Sequence, residues 1–235
     1  TDSFPSATAT GSIAKMQCSG AGNPRDYTSI AVTTDDSNDE IVYASSMGDG
    51  VIQYKNGTPV QSYNEKNAFK ETAGGYGSGY CYIDGLAFDK NGNLWMTSSE
   101  VNHAVLVLDK AGAWHRLDIE QLRGVYTIND ILITSTNDKW IYVPRNTPKL
   151  VIIPNSESLD EVSSYEFTTL IDTDGKELTP SNYTCVAEDK DGYIWVGTNR
   201  GAVYFTKPRI SSAEDKAATR CTRVKYTNEE TGNLA

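Results

Sequence analysis

A strand–turn–strand unit recurs along this chain and leaves few folds open to it. In its clearest copy, a run ending at Glu188 meets the polar turn Asp189-Lys190-Asp191-Gly192. A second run covers 193–197, the turn Asn199-Arg200-Gly201 follows, and a third run covers 202–205. Short alternating apolar runs bounded by such turns read as strands of one antiparallel meander. Gly192 supplies a positive φ and the aspartates bond their own backbone, so residues that look chemical serve the hairpin first. Ala87, Asp89, Lys90, Gly92 and Trp95 stand 100 positions before Ala187, Asp189, Lys190, Gly192 and Trp195.

Two more copies lie between and before. Ile131-Leu132-Ile133 leads through Thr134-Ser135-Thr136-Asn137-Asp138 into Lys139-Trp140-Ile141-Tyr142-Val143, and Ser29–Thr33 leads through a longer polar turn into Ile41–Ser45. Tyr43, Trp95, Trp140 and Trp195 are then equivalent, at steps of 52, 45 and 55 residues. A period of roughly 40 to 50 residues with several short strands per repeat predicts the blades of an all-β β-propeller. About four four-stranded blades are expected, near 28–64, 82–118, 127–172 and 183–227. They follow an N-terminal segment, 1–27, with one strand at Ile13–Cys18, and the whole reads as a fragment of a larger propeller. Helix is expected only near Leu117–Leu122 and Ser211–Ala218. The aromatic residues Trp95, Trp140 and Trp195 should sit buried on the second strand of successive blades, with small Gly197 or Thr97 leaving room for the neighbouring blade.

Length and charge bound the function. A chain of 235 residues is long enough for one β domain with a real core. Its formal charge of −10, from 21 basic and 31 acidic residues, repels nucleic acid and anionic membranes. The longest apolar runs, such as Leu150–Ile153, are strand-sized, so no direct membrane insertion is expected. The first residues, Thr1-Asp2-Ser3-Phe4-Pro5, carry neither the charged nor the apolar region of a signal peptide, which is expected to have been removed. Cys18, Cys81, Cys185 and Cys221 lack C-x-x-C spacing, which argues against a zinc or redox site, and Cys185 and Cys221 are expected to be unbonded.

The run from Glu188 to Gly201, with its acidic turn, Ile194-Trp195-Val196-Gly197-Thr198 and Gly201, resembles the two-component-regulator propeller repeat. Such repeats fill the periplasmic sensors of hybrid two-component systems in Bacteroidetes. The order of unlike blades, with Asn91-Gly92-Asn93-Leu94-Trp95-Met96-Thr97, then Asp130–Ile133 leading to Lys139-Trp140-Ile141, then the Trp195 copy, is similar to the propeller component of the type IX (Por) secretion system. The resemblance covers about Tyr82–Tyr226, and the first blade departs from it, lacking the Trp and the Gly-Thr. It implies a periplasmic or cell-surface binding or scaffold module with protein partners or a glycan or lipopolysaccharide-type ligand. The alternatives are the glycan-sensing part of a hybrid sensor kinase and, behind it, a propeller lyase or glycosidase.

No catalytic, cofactor or metal residues are assigned. Asp89 to Glu100 mimics a calcium loop, but its glycine stands at the fourth position where that loop needs it at the sixth. His103 and His115, read as lying on different strands of one blade, have no nucleophile elbow to serve. A binding module should show no buried carboxylate pair facing an open pocket at the separation glycosidases use. Tyr76, Tyr80, Trp114 and Tyr126 fall outside the repeat register and are the candidate ligand-binding residues, aromatics being enriched at interfaces. The glycine-rich stretch 64–80 around Tyr76 and Tyr80 is the long loop most suited to function.

Overall fold

A computed structural model describes residues 27–69 and 79–224. The strand expected at Ile13–Cys18, Tyr76, Cys18 and the chain beyond 224 lie outside the described residues.

The first meander comprises β1 (Tyr27–Thr34), β2 (Glu40–Gly48), β3 (Gly50–Lys55) and β4 (Thr58–Tyr63). The second comprises β5 (Cys81–Phe88), β6 (Leu94–Ser98), β7 (Val105–Leu108) and β8 (Trp114–Leu117). The third comprises β9 (Ile131–Ile133), β10 (Lys139–Val143), β11 (Lys149–Ile153) and β12 (Tyr165–Phe167). A small hairpin of β13 (Leu170–Ile171) and β14 (Glu177–Leu178) precedes the last meander. That one comprises β15 (Tyr183–Glu188), β16 (Tyr193–Thr198), β17 (Gly201–Thr206) and β18 (Thr222–Arg223). Each meander pairs in antiparallel order, and the end of β2 also pairs with the start of β5, joining the first two. The packed meanders form a β-propeller. Among the described residues, helix is confined to a 3-10 turn at Glu120–Leu122 and to α1 (Ala213–Ala218), capped by the Ser212 hydroxyl.

One residue heads most of the hairpins. The Oδ1 atoms of Asp35, Asp89, Asp109, Asp172 and Asp189 accept the turn amides two or four residues on, at 2.8–3.0 Å. Their Oδ2 atoms then hold a partner on a following strand: Lys55 at 2.7 Å, the Trp95 indole at 2.9 Å, His115 at 2.9 Å, Arg223 as an ion pair at 2.7 Å and the Trp195 indole at 2.7 Å. The acidic position of the repeat thus closes the turn and, at Asp89, orients the Trp95 indole that fills the seam.

Register shows how the seams are built. Tyr43, Trp95, Trp140 and Trp195 face Ala31, Ala87, Leu132 and Ala187 across the first strand pair of their meanders. Trp95 is 1% exposed and packs on Ile131, Ile141, Val151 and Ile153 of the third meander, with the Lys139 Nζ 4.4 Å from its ring. Trp140 is 2% exposed and packs on Ile194, Val196, Val203 and Phe205 of the last, its ring centroid 5.4 Å from that of Phe205. Trp195 breaks the expectation of burial at 36% exposure, because no further meander covers its face among the described residues. At Gly197 a Cβ would sit 2.4 Å from Thr184 Oγ1 and 2.7 Å from Cys185 Sγ, so a larger residue would have to displace both side-chain ends on the paired first strand. Cys81, Cys185 and Cys221 are free thiols, as expected for the last two.

Candidate functional site: an axial cleft

The first strands of successive meanders touch one another in order, β1 against β5, β5 against β9 and β9 against β15. They therefore line the propeller axis. Their starting ends, with the ends of second strands β2 and β10, surround a cleft of about 570 Å³ that all four meanders help to line. Its polar groups include Thr28 from the first, Tyr82 and Asp84 from the second, Asn129, Asp130, Tyr142 and Arg145 from the third, and Asn182 and Thr184 from the last.

Backbone approach makes this convergence possible. Gly85 packs so tightly on the third meander that a Cβ would lie 2.8 Å from Ile131 N and 2.9 Å from both Asp130 Cα and Asp130 Oδ1. Thr97 Oγ1 stitches the same seam, accepting from Gly85 N and donating to Asn129 O, both at 2.9 Å. Asn129 Nδ2 donates to the Tyr142 hydroxyl at 3.0 Å, and that hydroxyl donates to Thr184 O at 3.2 Å, so the third and last meanders share a polar chain.

The electrostatics follow from lost water. Asp84 is half-buried and accepts one side-chain hydrogen bond, from Ser99 Oγ at 2.7 Å, and burial pushes its carboxyl up to about 8, aided by the charge of Asp130. Asp130 stands at the exposed rim, shifted upward by partial desolvation of its carboxyl against the bond from Ile131 N. Desolvation and then the Asp130 charge push Tyr142 up to about 12. Tyr82 is raised by burial first, then by Asp84, Tyr80, Glu100 and Tyr126. Asn182 Oδ1 is buried with no hydrogen-bond partner among the described residues. The cleft thus holds one carboxylic acid kept largely protonated at neutral pH, one rim carboxylate, two phenols and an unused amide acceptor. That set suits directional recognition of a polar group. Two carboxyls, Asp84 and Asp130, share the cleft, and desolvation raises both.

The candidate aromatics separate in space. Tyr80 stacks edge-on with Tyr82, centroids 6.3 Å apart, and Tyr126, 58% exposed, lies close enough to influence the same phenol. Trp114 goes elsewhere, edge-on to Tyr63 and Phe69 with centroids 5.4 Å away in each case, half-buried in the seam between the first two meanders. His103 sits in a loop before β7 rather than on a strand, and His115 is spoken for by Asp109. Among the described residues, no cluster of three or more His, Cys, Asp or Glu is placed to hold a metal ion. A second cleft of about 270 Å³ opens between the turns of the last two meanders, but Glu188 there is already bound to Ser135 and its cations are exposed.

Sequence reasoning passed over Asp84, Asp130 and Asn182. No catalytic or binding motif marks them, and they acquire their character only where three meanders meet; the weak signal was an acid on or just before the inner strand in both Ile83-Asp84-Gly85 and Asn129-Asp130-Ile131.

Comparison with known proteins agrees with this architecture. Residues 177–200 match the family model described as two component regulator propeller. No curated protein sequence matches the chain. Among solved structures, PorZ, described as an essential bacterial surface component of the type-IX secretion system of Porphyromonas gingivalis, superposes with a TM-score of 0.72 at 18% identity. That match covers 88% of this chain and 28% of PorZ. Two structures described as extracellular domains of two-component systems of B. thetaiotaomicron give TM-scores of 0.52 and 0.53 at 15% and 14% identity. They cover 89% and 87% of this chain and 26% and 25% of theirs. The chain thus spans about a quarter of the length of these three structures. Among the described residues, no helix is long and apolar enough to cross a membrane.

Proposed function

We propose that this chain is a non-enzymatic β-propeller binding module of a bacterial envelope complex, of the kind used in type IX secretion. It acts in the periplasm or at the cell surface and takes a protein partner or a glycan or lipopolysaccharide-type ligand at its axial cleft. The observation that carries this reading is the convergence of Asp84, Asp130, Tyr82, Tyr142 and Asn182 from three meanders on one cleft. The likeness to a surface component of that secretion system supports the setting. Tyr80 and Tyr126, grouped around Tyr82, are the proposed contacts at the rim; Trp114 is proposed as seam packing instead.

Calorimetric titration of the chain with purified lipopolysaccharide and with defined oligosaccharides tests the proposal. Binding that weakens about tenfold or more in Asp84→Asn and in Tyr82→Ala, a loss of at least ~1.4 kcal/mol, supports it. Turnover of an oligosaccharide that disappears in Asp84→Asn overturns the non-enzymatic reading. The likeness to extracellular domains of two-component systems keeps a sensor role as the second reading. A kinase encoded on the same polypeptide would decide for it.

A further inference from the structure

Three seams join successive meanders, and at the turns that follow the first strands the chain closes two of them. Between the second and third meanders, Lys90 crosses the seam, its Nζ donating to Ser135 O and its amide to Asn137 Oδ1 at 2.9 Å, while Lys139 Nζ sits over the Trp95 ring. Between the third and last, Glu188 accepts from the Ser135 amide and hydroxyl, and Trp140, 2% exposed, lines the cleft of about 270 Å³ that remains. The seam between the first two meanders differs at both positions. Tyr43 stands where the others carry Trp95 and Trp140, and Phe88 stands 100 positions before Glu188. A phenyl ring cannot make the bond that Glu188 makes, and among the described residues no hydrogen bond or ion pair joins the 35–39 turn to the 89–93 turn. The cleft there widens to about 610 Å³.

Its floor is apolar. Ile41, Leu94 and Leu108 are buried, and the half-buried Tyr43 and Phe88 meet edge to face, centroids 5.8 Å apart at 71°. Thr34 and Gln53 stand among the polar groups around it. Clefts of this size, with an apolar floor and a few polar groups, are the usual form of small-molecule sites. We propose that this cleft binds a small, uncharged, planar aromatic compound, whose ring seats on Tyr43 and Phe88. The repeat itself indicates that occupant: the other two seams carry an indole at the Tyr43 position, and an edge-to-face pair can take a third ring in the same geometry. The site shares no lining residue with the axial cleft and does not rest on the function proposed there.

Amide shifts of the isotope-labelled chain, titrated with indole and, for comparison, with cyclohexanol and glucose, test this. Saturable shifts grouped at Thr34, Tyr43, Phe88 and Asn91 are expected with indole, and binding weaker by about threefold or more with cyclohexanol, which lacks the aromatic contact. Tyr43→Trp supplies the ring from the chain itself and should weaken indole binding about tenfold or more while keeping or raising the melting temperature. Thr34→Arg, at an exposed rim position, should weaken it likewise with the fold intact, and carries the test if the larger Trp overpacks the seam. Indole shifts that do not saturate or that fall elsewhere overturn the proposal. So does indole binding that Thr34→Arg leaves unchanged, or cyclohexanol or glucose binding as tightly as indole. Neither variant touches the axial cleft, so the two proposals fail separately.

Discussion

The aspartate at the head of each hairpin has two tasks, and their value depends on how dry the site is. Asp89 is 7% exposed and holds the indole of a fully buried Trp95, whereas Asp189 holds the indole of a Trp195 that water reaches. Removing a buried acceptor strands its donors, at about 1–3 kcal/mol. Asp89→Ala is therefore expected to lower the urea midpoint clearly, and Asp189→Ala to lower it less. The tryptophans should rank likewise. Trp95→Ala and Trp140→Ala each empty a packed seam and should cost about 3–5 kcal/mol, while Trp195→Ala, with one face already in water, should cost markedly less. Denaturant unfolding of the three single variants checks the order; equal losses would mean that Trp195 is as well covered as the other two.

At the level of strands and turns, what could be read from sequence was whatever is decided locally. Asn56-Gly57 is a hairpin signal because both residues must take positive φ, and they do, at 49° and 75°. The Trp register was legible because turn, strand and aromatic recur at a fixed spacing. Gly85 carried no such sign: its φ is ordinary, and the need for glycine comes from the backbone of another meander 46 residues later, which Asp130 and Ile131 bring to it. The two glycines make a controlled comparison. Gly57→Ala has nothing within 4 Å and should cost only the left-handed backbone penalty, about 1–2 kcal/mol. Gly85→Ala must push backbone atoms that cannot rotate away, so it should cost about 1–3 kcal/mol as an overpacked seam and also distort the cleft. Ligand affinity measured on both variants separates the effects, with only Gly85→Ala expected to reduce it.

For the molecule as a whole, the repeat announced a propeller but not what its axis would hold, because the acidity of Asp84 belongs to no sequence position. It arises when four inner strands converge and withdraw water from a carboxyl whose only hydrogen-bonding side-chain partner among the described residues is Ser99. Among the described residues, the groups facing it are the Ser99 hydroxyl, the Asp130 carboxyl, which pushes the same way, and the Tyr82 phenol; Arg145 lines the same cleft and forms no ion pair with either acid there. An unfolded aspartate titrates near ~3.9. With the folded value raised to about 8, the native state holds a proton through the intervening range that the unfolded chain has released. Stability from this group is complete below the unfolded value, falls as pH rises, and levels off above about 8. The depressed carboxyls at the hairpin heads act oppositely: Asp35, Asp109, Asp172 and Asp189 contribute above the unfolded value and lose that contribution as pH falls through their folded values. Together they place maximum stability on the mildly acidic side of neutral. Melting temperature is thus expected to decline from about pH 5 to about pH 8, and Asp84→Asn, which keeps the shape and removes the titration, should flatten that decline while leaving the acid limb intact. A wild-type profile already flat across that range would show that Asp84 remains in contact with water and that the axial cleft is wetter than its geometry implies.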